Sequence, residues 1–154
     1  MIHFQDLEEP SISEWFSLFN DPKSRKYMPL AEEKVNEDWI RNWLNSKINS
    51  RKNSPFKLHS IWLGAEFVGW AGIQQDGSDY EIAVVLKPSA WGYGREVADK
   101  LIYDFKEAKL DASLFIYLPP TRNTSVIARK LNLVDSGQVN IANKVFQKLL
   151  VKIK

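Results

Sequence analysis

Apolar residues along this chain change their spacing often enough to lay out its elements in order. Ile2 to Phe4 is a short apolar run that predicts a strand at or near a sheet edge. Ser11-Ile-Ser-Glu14 has capping-box spacing and is followed by Trp15, Phe16, Leu18 and Phe19, so a helix is predicted that stops before Pro22. The polar, proline-marked stretch 21–33 predicts a loop. Trp39, Ile40, Trp43, Leu44 and Ile48 recur at helical spacing and predict a second helix from about Asn36. Three strands are predicted next, at 56–63, 66–73 and 79–86, with turns at Gly64-Ala65 and Asp76-Gly77. Val97, Ala98, Leu101, Ile102 and Phe105 then form one stripe of an amphipathic helix. A strand at 113–118 closes on Pro119-Pro120, and a short helix follows at 124–131, with Asn123 or Thr124 as its cap and Asn132 as its left-handed exit. Two strands, 134–139 and 145–153, finish the chain, the second with Val145, Leu149, Val151 and Ile153 on one face.

The order β-α-α-β-β-β-α-β-α-β-β, with no repeat or linker, predicts one α/β (α+β) domain over 1–154. Its sheet is single, mixed and mostly antiparallel, with helices on both faces. A chain of 154 residues buries roughly two-thirds of its unfolded surface as one domain. The formal net charge of +2 and the lack of a long basic run give no reason to expect nucleic acid. No apolar stretch is long enough to span a membrane, and the N-terminus has no signal-peptide pattern. With no cysteine there is no disulfide, thiolate metal site or cysteine nucleophile. His3 and His59 stand isolated, so no metal site is expected, and a cytoplasmic protein is.

One segment stands out chemically. Pro88 ends a strand, Gly92 and Gly94 follow, and a helix begins, which sets unpaired backbone N–H groups and a helix dipole at a strand tip suited to a phosphate. The third glycine of a dinucleotide fingerprint is missing, Val97 standing in its place, and there is no Walker Gly-Lys-Ser/Thr. On the strand before the loop, Asp79, Glu81, Ala83 and Val85 share one face, while Tyr80, Ile82, Val84 and Leu86 share the other and read as core.

Several segments in order resemble the GNAT-type N-acetyltransferases, near the ribosomal-protein N-terminal and polyamine branch. They are Asn20-Asp-Pro22 through Tyr27-Met-Pro29, Phe67-Val-Gly-Trp-Ala-Gly-Ile73, and Tyr80 to Pro88 followed by Trp91-Gly-Tyr-Gly-Arg-Glu96, with the helix after Asn123 last. The resemblance implies an acyl-CoA N-acyltransferase-like fold and acetyl-CoA as co-substrate. It also implies that backbone groups of Val84, Val85 and Leu86 pair with pantetheine, and that amides of Trp91, Gly92, Tyr93, Gly94, Arg95 and Glu96 hold the pyrophosphate. Asn123 would contact the cofactor arm, and Glu81 or Asp79 would take the amine proton. Two loop registers stay open: Ser89 as lead residue favours Asp79, and Trp91 as lead favours Glu81, the preferred base. Where many members carry a tyrosine as acid this chain has Ala128, leaving Tyr117, Tyr93 and Ser125 as candidates.

The acceptor is expected to be a primary amine of a small molecule or a protein N-terminus. At pH 7 an amine of pKa near 10.4 is neutral about once in 2,500, a cost of about 4.6 kcal/mol, so a positioned carboxylate is needed. Its pocket is expected between the two N-terminal helices and the sheet, with Glu32, Glu33, Glu37 and Asp38 nearby and Trp39 and Trp43 as core. A catalytically silent acyl-CoA-binding or sensing domain on the same fold is the alternative, and an interaction module without cofactor is a third. The exposed edge of the last strand makes a homodimer an expectation as well.

Overall fold

The protein is described here by a computed structural model covering residues 1–26, 28, 35–120 and 122–153, without the side chains of Arg122 and Asn123. Ser11 caps α1 (Ile12–Phe19) as its spacing predicts: its Oγ accepts from Glu14 N at 3.1 Å, and Glu14 Oε1 accepts from Ser11 N at 2.9 Å. The stretch predicted as loop contains a further helical turn, α2 (Pro22–Arg25). Asp21 caps it through Ser24 N, and Pro22 sits at its start, where its missing N–H costs nothing. Asn36 caps α3 (Glu37–Ser50) by accepting from Trp39 N.

Seven strands form one sheet in the order β1-β2-β3-β4-β5-β7-β6. They are β1 (Ile2–Asp6), β2 (Leu58–Leu63), β3 (Glu66–Asp76), β4 (Asp79–Leu86), β5 (Leu114–Leu118), β6 (Leu133–Ile141) and β7 (Lys144–Val151). Every pairing is antiparallel except β4 with β5. That parallel ladder covers only Tyr80–Leu114, Glu81–Phe115 and Ile82–Ile116. Beyond Ile82 the two strands part, and the sheet has a gap at its centre.

One face of the sheet carries α4 (Gly94–Ala108), whose predicted stripe Val97, Ala98, Leu101, Ile102 and Phe105 is buried in full. Ile82 and Leu86 of β4 belong to that core, as does Leu131, just past the end of α5 (Arg122–Lys130). The other face carries α1 and α3, where Trp15, Leu18, Phe19 and Ile40 pack with Phe67, Trp70, Ala83 and Val85. The two faces of β4 therefore alternate as predicted, and its register with β3 is unbroken from Gly69–Leu86 to Asp76–Asp79.

Gly69 lets β3 and β4 approach: a Cβ there would stand 2.0 Å from the Val85 carbonyl oxygen, an impossible contact. At Asn132 the φ of 58° is the left-handed exit expected for that helix. Three expectations need correction. Helix α5 begins at Arg122, so Asn123 lies inside it and is not its cap. The last strand is not an edge: β7 lies between β5 and β6, and β6 is the exposed border. Leu149 and Val151 of β7 are buried, but Val145 near its start and Ile153 beyond its end are exposed.

Candidate active site

Two cavities open from the gap between β4 and β5, one on each face of the sheet. The first, of about 310 Å³, lies on the α4 side. Its wall includes Val84, Val85 and Leu86, then Trp91, Gly92, Gly94 and Arg95, with Ile127 and Leu131 opposite. Residues 88–93 form a tight 3-10 turn and α4 begins at Gly94, with no side chain capping its first turn. The Gly94 N–H is already taken by the Trp91 carbonyl, so an anion here would meet the N–H groups after it and the helix dipole. Neither Gly92 nor Gly94 uses a left-handed backbone. A Cβ at Gly92 meets nothing within 4 Å, and one at Gly94 only touches Leu86 Cδ1 at 4.0 Å. Absence of a side chain at Gly92 leaves open space in front of the turn; the turn itself does not require it.

The other residues of this segment separate. The Trp91 indole donates to the Leu86 carbonyl at 2.9 Å, tying the turn back to the end of β4. Arg95 is exposed and pairs with Asp99 at 3.8 Å. Tyr93 packs against the α4-side core, and Glu96 is exposed in the first helical turn; neither lines the cavity. Ser89 is exposed within the 3-10 turn. The side chain of Asn123 lies outside the described residues.

The second cavity, of about 380 Å³, lies on the α1–α3 side and shares Met28, Val84, Val85, Ile116 and Leu118 with the first. Those shared residues border both cavities, which adjoin at the gap. Glu81 stands in its wall, half-buried. Burial raises its carboxyl above the usual carboxylate range and the charge of Asp76 adds to this, while Lys47 partly opposes it. The Lys47 ammonium donates to Gln74 Oε1, and Gln74 Nε2 donates to Glu81 Oε1 at 3.5 Å. Burial lowers the Lys47 pKa, with Glu81 opposing. Its Nζ lies 5.7 Å from the Trp43 ring centre and 5.5 Å from that of Trp70.

Asp79, the other candidate carboxylate, lines neither cavity; its Oδ1 accepts from Ser113 N at 3.0 Å and anchors the start of β5. Tyr117 is in the second cavity's wall and donates to Asp76 Oδ2 at 3.2 Å. Burial and the Asp76 charge push its pKa up to about 12. Tyr93, Ser125 and Ala128 do not line either cavity. Of the acids expected near the acceptor, Glu32 and Glu33 lie outside the described residues. Glu37 and Asp38 are exposed at the start of α3, Glu37 pairing with Arg41 at 3.3 Å. Trp39 and Trp43 are half-buried and line the cavity, so they serve as wall as well as core.

Sequence reasoning passed over Lys47, Gln74 and Phe146. Lys47 had a visible signal: with Trp39 and Trp43 it continues a four-residue spacing along α3. Gln74 had none, because only the β3–β4 register sets it opposite Glu81. Among the described residues no cluster of histidine and carboxylate groups suits a metal.

Residues 3–132 match the family model described as an acetyltransferase (GNAT) domain. The chain belongs to the GNAT acetyltransferase family. Solved structures of that family superpose on nearly all of it. An N-acetyltransferase from Staphylococcus aureus is 14% identical with a TM-score of 0.71, over 100% of this chain and 98% of the other. A ribosomal-protein-alanine N-acetyltransferase from Brucella melitensis is 16% identical with a TM-score of 0.70, over 100% and 99%. An acetyl transferase from Salmonella typhimurium, which modifies the N-terminal serine of a 50S ribosomal subunit protein, is 12% identical with a TM-score of 0.74, over 99% and 95%. Identities this low show a shared fold. A search of curated protein sequences finds no match.

Proposed function

We propose that this GNAT domain transfers the acetyl group of acetyl-CoA to a primary amine in a ternary complex, the two ligands meeting in the gap between β4 and β5. The observation that carries this reading is the placement of Glu81: a proton-hungry carboxylate in one cavity, on the strand whose unpaired end borders the other.

The cofactor side works through backbone. Past Ile82 the β4 edge has no strand partner, so pantetheine lies along Val84, Val85 and Leu86 as an added strand would. The pyrophosphate sits at the turn 91–96 and the start of α4, which no side chain caps and where the helix dipole favours negative charge. Gly92 leaves it room to approach. The thioester then points at the gap toward the second cavity.

There the amine nitrogen attacks the acetyl carbonyl, its proton leaving through water to Glu81. The carbon–sulfur bond breaks and CoA departs as a thiolate. A carboxyl held above its ordinary range is a stronger base than an ordinary carboxylate, which is why burial of Glu81 matters. Asp79 is engaged with Ser113 and serves the fold. Tyr117 holds its proton tightly against Asp76, which suits a positioning role better than that of acid to the thiolate. The thiolate then recovers its proton from solvent.

Thiol release with acetyl-CoA and a panel of amines tests the reading, alongside a thermal shift with acetyl-CoA alone. A shift without turnover on any amine favours an acyl-CoA sensor on the same fold, and no shift at all sinks both.

A further inference from the structure

The acceptor cavity has an ionic make-up that selects among amines. Among its described wall residues, Lys47 and Glu81 are the two that carry full charge, and the rest of the wall is largely aromatic and aliphatic. Neither is in contact with the other: no ion pair joins them among the described residues, and Gln74 stands between. The orientation of that amide is fixed by chemistry, since an ammonium can only donate and a carboxylate only accept. Gln74 thus presents its oxygen to Lys47 and its nitrogen to Glu81, holding a positive and a negative group one amide apart. Lys47 is further held over the Trp43 and Trp70 rings, so its charge points from a rigid place. Phe19 and Trp39 continue the aromatic wall, in edge contact at 5.3 Å between ring centres.

We propose that the acceptor is a free α-amino acid with an apolar or aromatic side chain. Its carboxylate pairs with Lys47, its amine stands at Glu81, and its side chain lies along Trp39, Trp43 and Phe19. This rests on the acetyl-transfer reading and narrows it. An amino acid carries its own negative and positive groups one carbon apart, in the complementary order to Lys47 and Glu81. A polyamine brings added positive charge against Lys47. A simple amine, or a protein N-terminus with no carboxylate on its first residue, leaves that half-buried ammonium with no anion in contact. The cavity, at about 380 Å³, is in the size range of small-molecule sites.

The test compares L-phenylalanine and L-leucine with their decarboxylated amines, their amides and a short C-terminally amidated peptide beginning with phenylalanine. Turnover is read by CoA release, and binding by quenching of tryptophan fluorescence. The free amino acids are expected to exceed their decarboxylated and amidated forms at least tenfold in kcat/KM. Lys47→Met, which keeps the stem over the two indoles, is expected to erase that preference, and Lys47→Arg to restore part of it. Equal or better turnover of the amines, the amides or the peptide overturns the proposal, as does an unchanged preference in Lys47→Met. If no panel member is acetylated, saturable quenching by the free amino acids that disappears in Lys47→Met upholds the site while the transfer reading fails. Absence of quenching by the free amino acids overturns the site, whatever happens with acetyl-CoA.

Discussion

The two cavities beside the gap in the sheet are built from different materials. On the α4 side the wall proposed to meet the cofactor is strand edge, turn and helix start, and its glycine at 92 contributes an absence. On the α1–α3 side the wall is side chains: six aromatics, an ammonium, an amide and a carboxylate among them. A backbone surface recognises what any sequence of the same fold would recognise. A side-chain surface is free to differ. The contrast separates what the family shares from what is particular to this chain.

Removing the base is the strongest way to break the comparison. Glu81→Gln is expected to lower kcat by about 10²–10⁴ while the acetyl-CoA thermal shift stays in place. Turnover preserved across pH 6 to 9 sinks the role given to Glu81. The same variant has a second readout. A carboxyl whose pKa is raised on folding binds its proton more tightly in the folded chain than in the unfolded one. Its contribution to stability is therefore full below the ordinary carboxylate pKa and is lost as pH climbs through the raised value. Above that pH Glu81→Gln is expected to melt higher than the parent, a cost of function that Asp79→Asn should not relieve, since Asp79 bonds Ser113.

On the backbone side, Gly92→Ala should leave stability within about 0.5 kcal/mol of the parent, because the added Cβ meets no protein atom within 4 Å. Acetyl-CoA affinity is expected to fall at least tenfold; unchanged affinity would move the pyrophosphate elsewhere. Gly69→Ala separates packing from chemistry. Its Cβ would collide with Val85 and Leu86 backbone, costing about 1–3 kcal/mol by denaturant titration and weakening both ligands together.

The pH profile sharpens the comparison more gently. The acidic limb of kcat/KM is expected above the ordinary carboxylate range, reporting Glu81. The groups that act on it are Asp76 from β3, Lys47 from α3 and, through its bond to Asp76, Tyr117 from β5. Lys47→Met removes the one influence that lowers Glu81, so the limb should move to higher pH. The smallest effect belongs to the roof. Lys144 Nζ donates at 2.8 Å to the Arg25 and Met28 carbonyls, fastening the β6–β7 turn to the segment after α2. Lys144→Met should cost about 1 kcal/mol and raise the acceptor KM a few-fold, with acetyl-CoA binding unaffected.

What could be read from the chain alone follows from period and local chemistry. The α4 stripe, the Ser11 capping box, the alternation of β4 and the left-handed Asn132 each depend on residues a few positions apart, and each is present. The α2 turn was missed because Asp21-Pro22 reads equally as loop punctuation. At the site, local order supplied the strand, the turn and Glu81. It could not choose between Glu81 and Asp79 as neighbours of a cavity, since both lie on one face of the strand. The short β4–β5 ladder decides that, by setting where the sheet opens. Lys47 and Gln74 lie on different elements and reach Glu81 only after α3 packs on the sheet and β3 pairs with β4. Sequence periodicity specifies which face of an element is buried. Which charges then share one desolvated space depends on contacts between residues distant in the chain, and only the packed structure brings those together.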